Sequence, residues 1–157
     1  MYRYSSFLVV GLFLLLSSCE FLQSKKDFIQ KKWQIEHAEI PGGEIAANFL
    51  KDLVPGASLL DKIGAFDIAK DFVLKEAQDK LLKANFDFQK DGTLKFSVAE
   101  HSIDAAKWRY ESNKNQLILV VKGVELPLSI EKIEKEQMLL VYEFKGQRMR
   151  LQFKPML

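Results

Sequence analysis

The chain has 157 residues, with 23 Lys or Arg against 21 Asp or Glu, a net charge of +2 and a single cysteine. So even a balance gives no basic field for nucleic-acid binding, and one cysteine rules out a framework of intrachain disulfides. The length suits one domain with a proper core, and there is no low-complexity tract or internal repeat.

Three zones make up the N-terminus. Met1 to Ser6 carries one charge, Arg3, and Phe7 to Leu16 (FLVVGLFLLL) is apolar throughout. Leu16-Ser17-Ser18-Cys19 follows at once. A short basic head, a brief apolar run and small residues at its end describe an export signal. The run is too short to span a bilayer, which takes roughly 20 residues.

The order aliphatic, small, small, Cys resembles the lipobox of bacterial lipoproteins at all four positions. That resemblance implies cleavage before Cys19, a diacylglyceryl group on its thiol and an acyl chain, of the palmitate type, on its new amine. A single acyl chain, at about 0.8 kcal/mol per buried CH₂, binds only marginally; several bind firmly. The implied organisation is a signal peptide over 1–18, a lipidated tether over 19–32 and a folded domain over 33–157. Loss of the signal still leaves enough chain for one well-packed domain. With the Cys19 thiol consumed, the exported domain has no disulfide and must stand on packing alone. Glu20 is not the aspartate that favours inner-membrane retention where that sorting rule operates, so the outer membrane of the cell envelope is the expected location.

In the tether, Lys25, Lys26, Lys31 and Lys32 read most simply as a solvated linker. The alternative is attraction to anionic head groups, worth about 1 kcal/mol per residue at best. Phe21, Leu22, Phe28 and Ile29 make the segment less polar than most linkers and leave room for a short helix on the domain or on the bilayer. Trp33 to Ile40 then reads as a first strand, with Trp33, Ile35 and His37 on one face, ended by Pro41-Gly42-Gly43.

Residues 44–84 change period. Ile45, Phe49, Leu50, Leu53 and Val54 fall at helical spacing until Pro55-Gly56 breaks the run. Ser58-Leu59-Leu60-Asp61 has the form of a helix start, and Ala65, Ile68, Ala69, Phe72, Val73, Ala77, Leu81 and Leu82 lie on or near one face.

From Asn85 the period is two. Phe86 and Phe88 alternate with polar residues, and Asp91-Gly92 signals a hairpin. Leu94, Phe96 and Val98 make the return strand; Ala99 to Ser102 reads as a loop. Ala106, Trp108 and Tyr110 come next, then a turn at Asn113-Lys114-Asn115 and the apolar run Gln116 to Val121. After Lys122-Gly123, Val124, Leu126, Leu128 and Ile130 alternate. Met138, Leu140, Tyr142 and Phe144 follow, then Lys145-Gly146, then Met149, Leu151 and Phe153. Short connections imply an antiparallel meander of eight strands. Closed on itself, it is a mainly β, up-and-down barrel with a helical insertion between strands 1 and 2. Ile118, Val120, Leu139 and Val141 are apolar on what should be the outer face. Either the 44–84 helices or a partner protein would cover them; a mouth-capping position for the helices is equally open.

The early tryptophan in KKWQIEHAEI, the hairpin FDFQKDGTLKF, the strand WRY and the late QRMRLQF resemble bacterial lipocalin-like lipoproteins over Trp33 to Phe153. The resemblance implies a lipocalin-like barrel. Lipocalins usually carry a glycine two residues before the first-strand tryptophan, where this chain has Lys31. They also set a late arginine against that tryptophan. Here Arg148 and Arg150 have the wrong parity, because Met149, Leu151 and Phe153 take the apolar face.

Chemistry for catalysis is hard to assemble. There is no G-x-S-x-G, no H-E-x-x-H and no phosphate-cradling glycine loop. The two histidines read as one strand residue, His37, and one solvated loop residue, His101. Asp87 to Gly92 has the early rhythm of a calcium loop, but its twelfth position is Val98, where a glutamate is needed. No enzyme, metal or cofactor is expected. Trp33, Phe86, Phe88, Phe96, Trp108, Tyr110 and Tyr142 are the candidate wall of a pocket for a small hydrophobic ligand. The competing expectation is that these rings fill the barrel. The protein would then be a structural or protein-interaction lipoprotein of the envelope.

Overall fold

The computed structural model describes residues 24–53, 75, 78–98 and 101–157. Cys19 and most of the helix expected from Ser58, all but residues 75 and 78–82, lie outside them. The chain order is α1 (Lys25–Ile29), β1 (Lys32–Glu39), α2 (Gly43–Leu53), a helical turn at 78–81, β2 (Asn85–Phe88), β3 (Thr93–Val98) and β4 (His101–Glu111). Then come β5 (Gln116–Val121), β6 (Val124–Ile133), β7 (Met138–Phe144) and β8 (Gln147–Pro155). The eight strands pair in sequence order, and β1 also pairs with β8, so the sheet is a closed, wholly antiparallel barrel. Closure leaves no unpaired edge, which is how an all-β domain without disulfides avoids edge-to-edge association.

Local chemistry sets the register. Around Asp91-Gly92 the Gln89 carbonyl accepts the Gly92 N–H at 3.1 Å, and the Asp91 carboxylate accepts the Thr93 N–H at 2.8 Å. Gly92 holds φ +86°, and a Cβ there would sit 3.4 Å from the Trp108 carbonyl oxygen. This is a three-residue hairpin loop closed by a left-handed glycine. The Thr93 N–H also holds the Asp91 carboxyl below its ordinary range. The two Lys-Gly turns are two-residue loops with both residues at positive φ: Lys122 at 50° and Gly123 at 83°, Lys145 at 48° and Gly146 at 75°. That twist matches the right-handed twist of the flanking strands.

Bulges alter the simple alternation in three strands. In β1 the register shifts between Ile35 and His37, so the buried series Trp33, Ile35 continues at Ala38 and His37 is exposed. The expectation that His37 shares the Trp33 face is thereby corrected: one extra residue flips every side chain after it. In β6 the shift between Ile130 and Lys132 turns both Glu131 and Lys132 outward. In β4 the shift lies opposite Leu94 and Phe96. His101, expected in a loop, opens β4 and pairs with Val98.

With β1 taken as running upward, the lower end carries α1, the 89–92, 112–115 and 134–137 turns and the end of β8. The upper end carries α2, the helical turn at 78–81 and the two Lys-Gly turns. The core runs between them as one cluster, from Ile29 below to Ile45, Phe49 and Leu53 above.

Candidate functional site

The seven candidate wall residues converge on the barrel interior. Trp33, Phe86, Phe88, Phe96, Trp108 and Tyr142 are each at most 5% exposed, and Tyr110 is half-buried against the same core. Their rings occupy the space they would have lined. Phe86 stacks on Phe96 at 5.7 Å and meets Phe153, two strands away, edge-on at 5.5 Å; Phe88 meets Trp108 edge-on at 5.6 Å. A ring bordering a ligand cavity keeps surface open to a water-sized sphere. These keep almost none, which is the signature of close packing.

Both indole N–H groups are satisfied by backbone. Trp108 Nε1 donates to the Gln89 carbonyl at 2.9 Å and Trp33 Nε1 to the Ile29 carbonyl at 3.1 Å. A buried indole aimed at main chain is a structural bond, not a free ligand contact.

The lower end is sealed by the segment expected as a tether. Ser24 caps α1, accepting from Asp27 N, while the Asp27 carboxylate takes the Ser24 N–H at 2.9 Å in a capping box. That arrangement satisfies otherwise orphaned N–H groups at both ends of the first turn. Ile29, on the last turn, is fully buried in the core. Lys31 lies over the Trp33 ring with Nζ 4.6 Å from its centroid and donates to the Lys135 carbonyl. Lys31 thus sets a cation on the face of the Trp33 ring. Partial burial lowers the Lys31 pKa, with Glu136 opposing the shift.

Asn115 ties this end together. At φ 51° it donates from Nδ2 to the Ile130 carbonyl at 2.6 Å. Its Oδ1 accepts from Lys25 Nζ at 2.8 Å and from the Tyr110 hydroxyl at 3.4 Å. Asn115→Ala is expected to cost about 2 kcal/mol, from left-handed strain plus a stranded carbonyl. Asn115→Gly relieves the strain and should cost about half that; urea melts of the pair separate the two contributions.

At the upper end α2 lies across the mouth. Its buried face, Ile45, Ala46, Phe49 and Leu53, joins the interior cluster. Phe49 packs on Tyr142 at 5.1 Å, and the amide of Asn48 meets the Tyr142 hydroxyl at 2.5 Å. Lys145 pairs with Glu44 at the rim. Of the positions left open for the helices, α2 takes the mouth.

Two of the apolar residues on the outer face are buried. Ile118 and Val141 are 4% and 1% exposed. Arg109, on β4 beside Ile118, reaches across β5 to grip Glu125 of β6 at 2.8 and 3.0 Å. Arg150, on β8 beside Val141, crosses β7 to Glu131 of β6 at 3.4 Å, and Arg148 joins the same carboxylate at 3.0 Å. The hydrogen bonds from Arg109 draw the Glu125 carboxyl below its ordinary range. Both arginines stand on the outer face of β8, away from Trp33. Ile118→Ser should therefore cost about 2 kcal/mol in urea denaturation, the loss expected of a buried position. A solvated outer residue would change stability by a few tenths.

Among the described residues, no three His, Cys, Asp or Glu side chains come together as a metal site. None of the described helices is long and apolar enough to cross a membrane. Asp87, at the head of the rejected calcium rhythm, sits in β2 opposite Lys32 and Lys95.

Fold and described interior together define the class: a closed eight-stranded up-and-down barrel with buried aromatic rings packed on one another and a helix at each end. No protein-family model matches the chain, and no curated protein matches it either. Among solved structures, it is similar to a DUF4847 family protein from Bacteroides vulgatus ATCC 8482. Identity is 15% and the TM-score 0.47, over 83% of this chain and 95% of that one. At that level the likeness carries no argument about function.

Proposed function

We propose that this is a non-catalytic lipoprotein of the bacterial cell envelope, anchored through acyl chains on Cys19 and held at the outer membrane. Its barrel serves as a rigid body for contact with other proteins. The observation behind the second part is the interior: aromatic rings that could have lined a pocket pack on one another, between Ile29 below and Phe49 above. For a hydrophobic ligand to enter, one of those plugs would have to leave and the rings part. The lipobox and the absence of a second thiol support the anchor.

Native mass spectrometry after mild detergent extraction tests both parts. The expected species starts at Cys19, carries a diacylglyceryl group and one N-acyl chain, and holds no non-covalent lipid. A stoichiometric non-covalent lipid turns the reading to a ligand carrier, the other expectation from the sequence. Photo-crosslinkers at Val120 and Leu139, half-buried outer positions, should capture a partner protein in intact cells.

A further inference from the structure

The anchor and the barrel axis have a fixed relation. Cys19 precedes Ser24 by five residues, which span at most about 18 Å when fully extended. Ser24 caps α1, and α1 seals the lower end. The upper end is a strand length away, roughly 20 Å for tilted strands of this size. A lipid on Cys19 therefore keeps the lower end next to the bilayer and allows the upper end to stay clear of it.

The lower end is also built for that neighbour. Lys25, Lys26, Lys31, Lys32, Lys90 and Lys135 gather there from α1, the start of β1 and two turns. Among the described residues, Lys26, Lys32, Lys90 and Lys135 have no salt bridge. The acidic groups nearby are mostly engaged internally. Asp27 completes the α1 cap, and Asp91 holds its turn. Glu111 pairs with Lys114, and Glu134 with Lys132. Asp87 lies between Lys32 and Lys95 in the sheet register, and Glu136 lies near Lys31. Met156 sits among these lysines, 40% exposed, its N–H bonded to the Lys32 carbonyl. Lysines left without carboxylate partners, around an exposed apolar side chain, fit the interface of an anionic bilayer.

We propose that the α1 end of the barrel lies against an anionic membrane surface, with Lys26, Lys32, Lys90 and Lys135 on lipid head groups and Met156 at the interface. The α2 end then points away from the membrane, towards partners. The proposal rests on the lipid-anchor reading.

Lipidation consumes the Cys19 thiol, so an introduced cysteine labels cleanly. The lipidated full-length mature protein carries an NBD dye at Ser112→Cys (lower end) or Glu44→Cys (upper end). It is reconstituted in phosphatidylcholine vesicles that hold phosphatidylglycerol as the minor, anionic lipid. Doxyl lipid should quench the dye at position 112 at least twofold more than at position 44. In a Lys26→Glu, Lys32→Glu, Lys90→Glu variant, intact mass should still show the lipid while quenching at position 112 falls at least twofold. Equal quenching at the two ends overturns the orientation. An unchanged charge-reversal variant overturns the role of the lysines. A chain with no lipid mass on Cys19 overturns the anchor reading itself, and this proposal with it.

Discussion

Trp33→Ala is expected to lower stability by about 3–5 kcal/mol, a large share of the roughly 5–15 kcal/mol typical of a single domain. Three features converge on this side chain. It is fully buried, its Nε1 holds the Ile29 carbonyl at 3.1 Å, and Lys31 rests on its ring at 4.6 Å. Loss of the ring removes apolar burial and leaves a cavity. It also frees α1, because both the carbonyl and the cation lose their partner. Trp33→Phe keeps much of the volume and strands the carbonyl, and should cost about 1–2 kcal/mol. Urea denaturation followed through the other tryptophan, Trp108, measures both variants. Limited proteolysis should show cleavage near residues 24–31 in Trp33→Ala before the barrel itself opens. A loss under about 1 kcal/mol, well short of the range for a buried ring, would mean that α1 is not held by this residue.

The second large effect concerns localisation. Cys19→Ala should abolish lipid attachment and leave the precursor uncut, since in the lipoprotein pathway implied by Leu16-Ser17-Ser18-Cys19 the lipidated cysteine marks the cleavage site. Mass spectrometry should find a chain that keeps residues 1–18 and gains no acyl mass. Cleavage at the same bond, with release of a soluble domain, would show an ordinary export signal and a chance cysteine. A Cys19→Ser control keeps the size and polarity of the site and should fail in the same way, because the hydroxyl does not replace the thiol.

Much of the fold can be read directly along the chain. Most strands from β2 onward show alternation of period two, β5 being the apolar exception, and the turns carry residues suited to left-handed backbone: Gly92, Asn115, Gly123 and Gly146. The helical spacing of Ile45, Phe49, Leu50 and Leu53 appears as α2. The failures have a common physical cause. A bulge adds one residue with no compositional mark, so the outward turn of His37 and of Lys132 could not be seen in the alternation. The α1 cap did leave a signal, Ser24-Lys25-Lys26-Asp27 followed by Phe28-Ile29. The helix is only five residues long, too short to hold without the barrel behind it.

The candidate site divides in the same way. The aromatic positions were legible as one inward face. Whether they enclose space or fill it depends on ring-to-ring geometry across strands two apart, and strand order alone does not specify that geometry. Arg109–Glu125 and Arg150–Glu131 each span an intervening strand, and the partners are remote from one another in the chain. Those pairs exist only once three strands lie side by side.

What the chain determined by itself is what local chemistry controls: the period of the strands, the turns and the helical spacing of α2. Backbone preference and side-chain alternation act over a few residues and need no partner. Tertiary structure alone decided that the rings meet, that Lys31 takes the place on Trp33, and that α1 belongs to the barrel. Each of those outcomes depends on contacts between segments remote in sequence, where packing and registry, rather than local propensity, set the geometry.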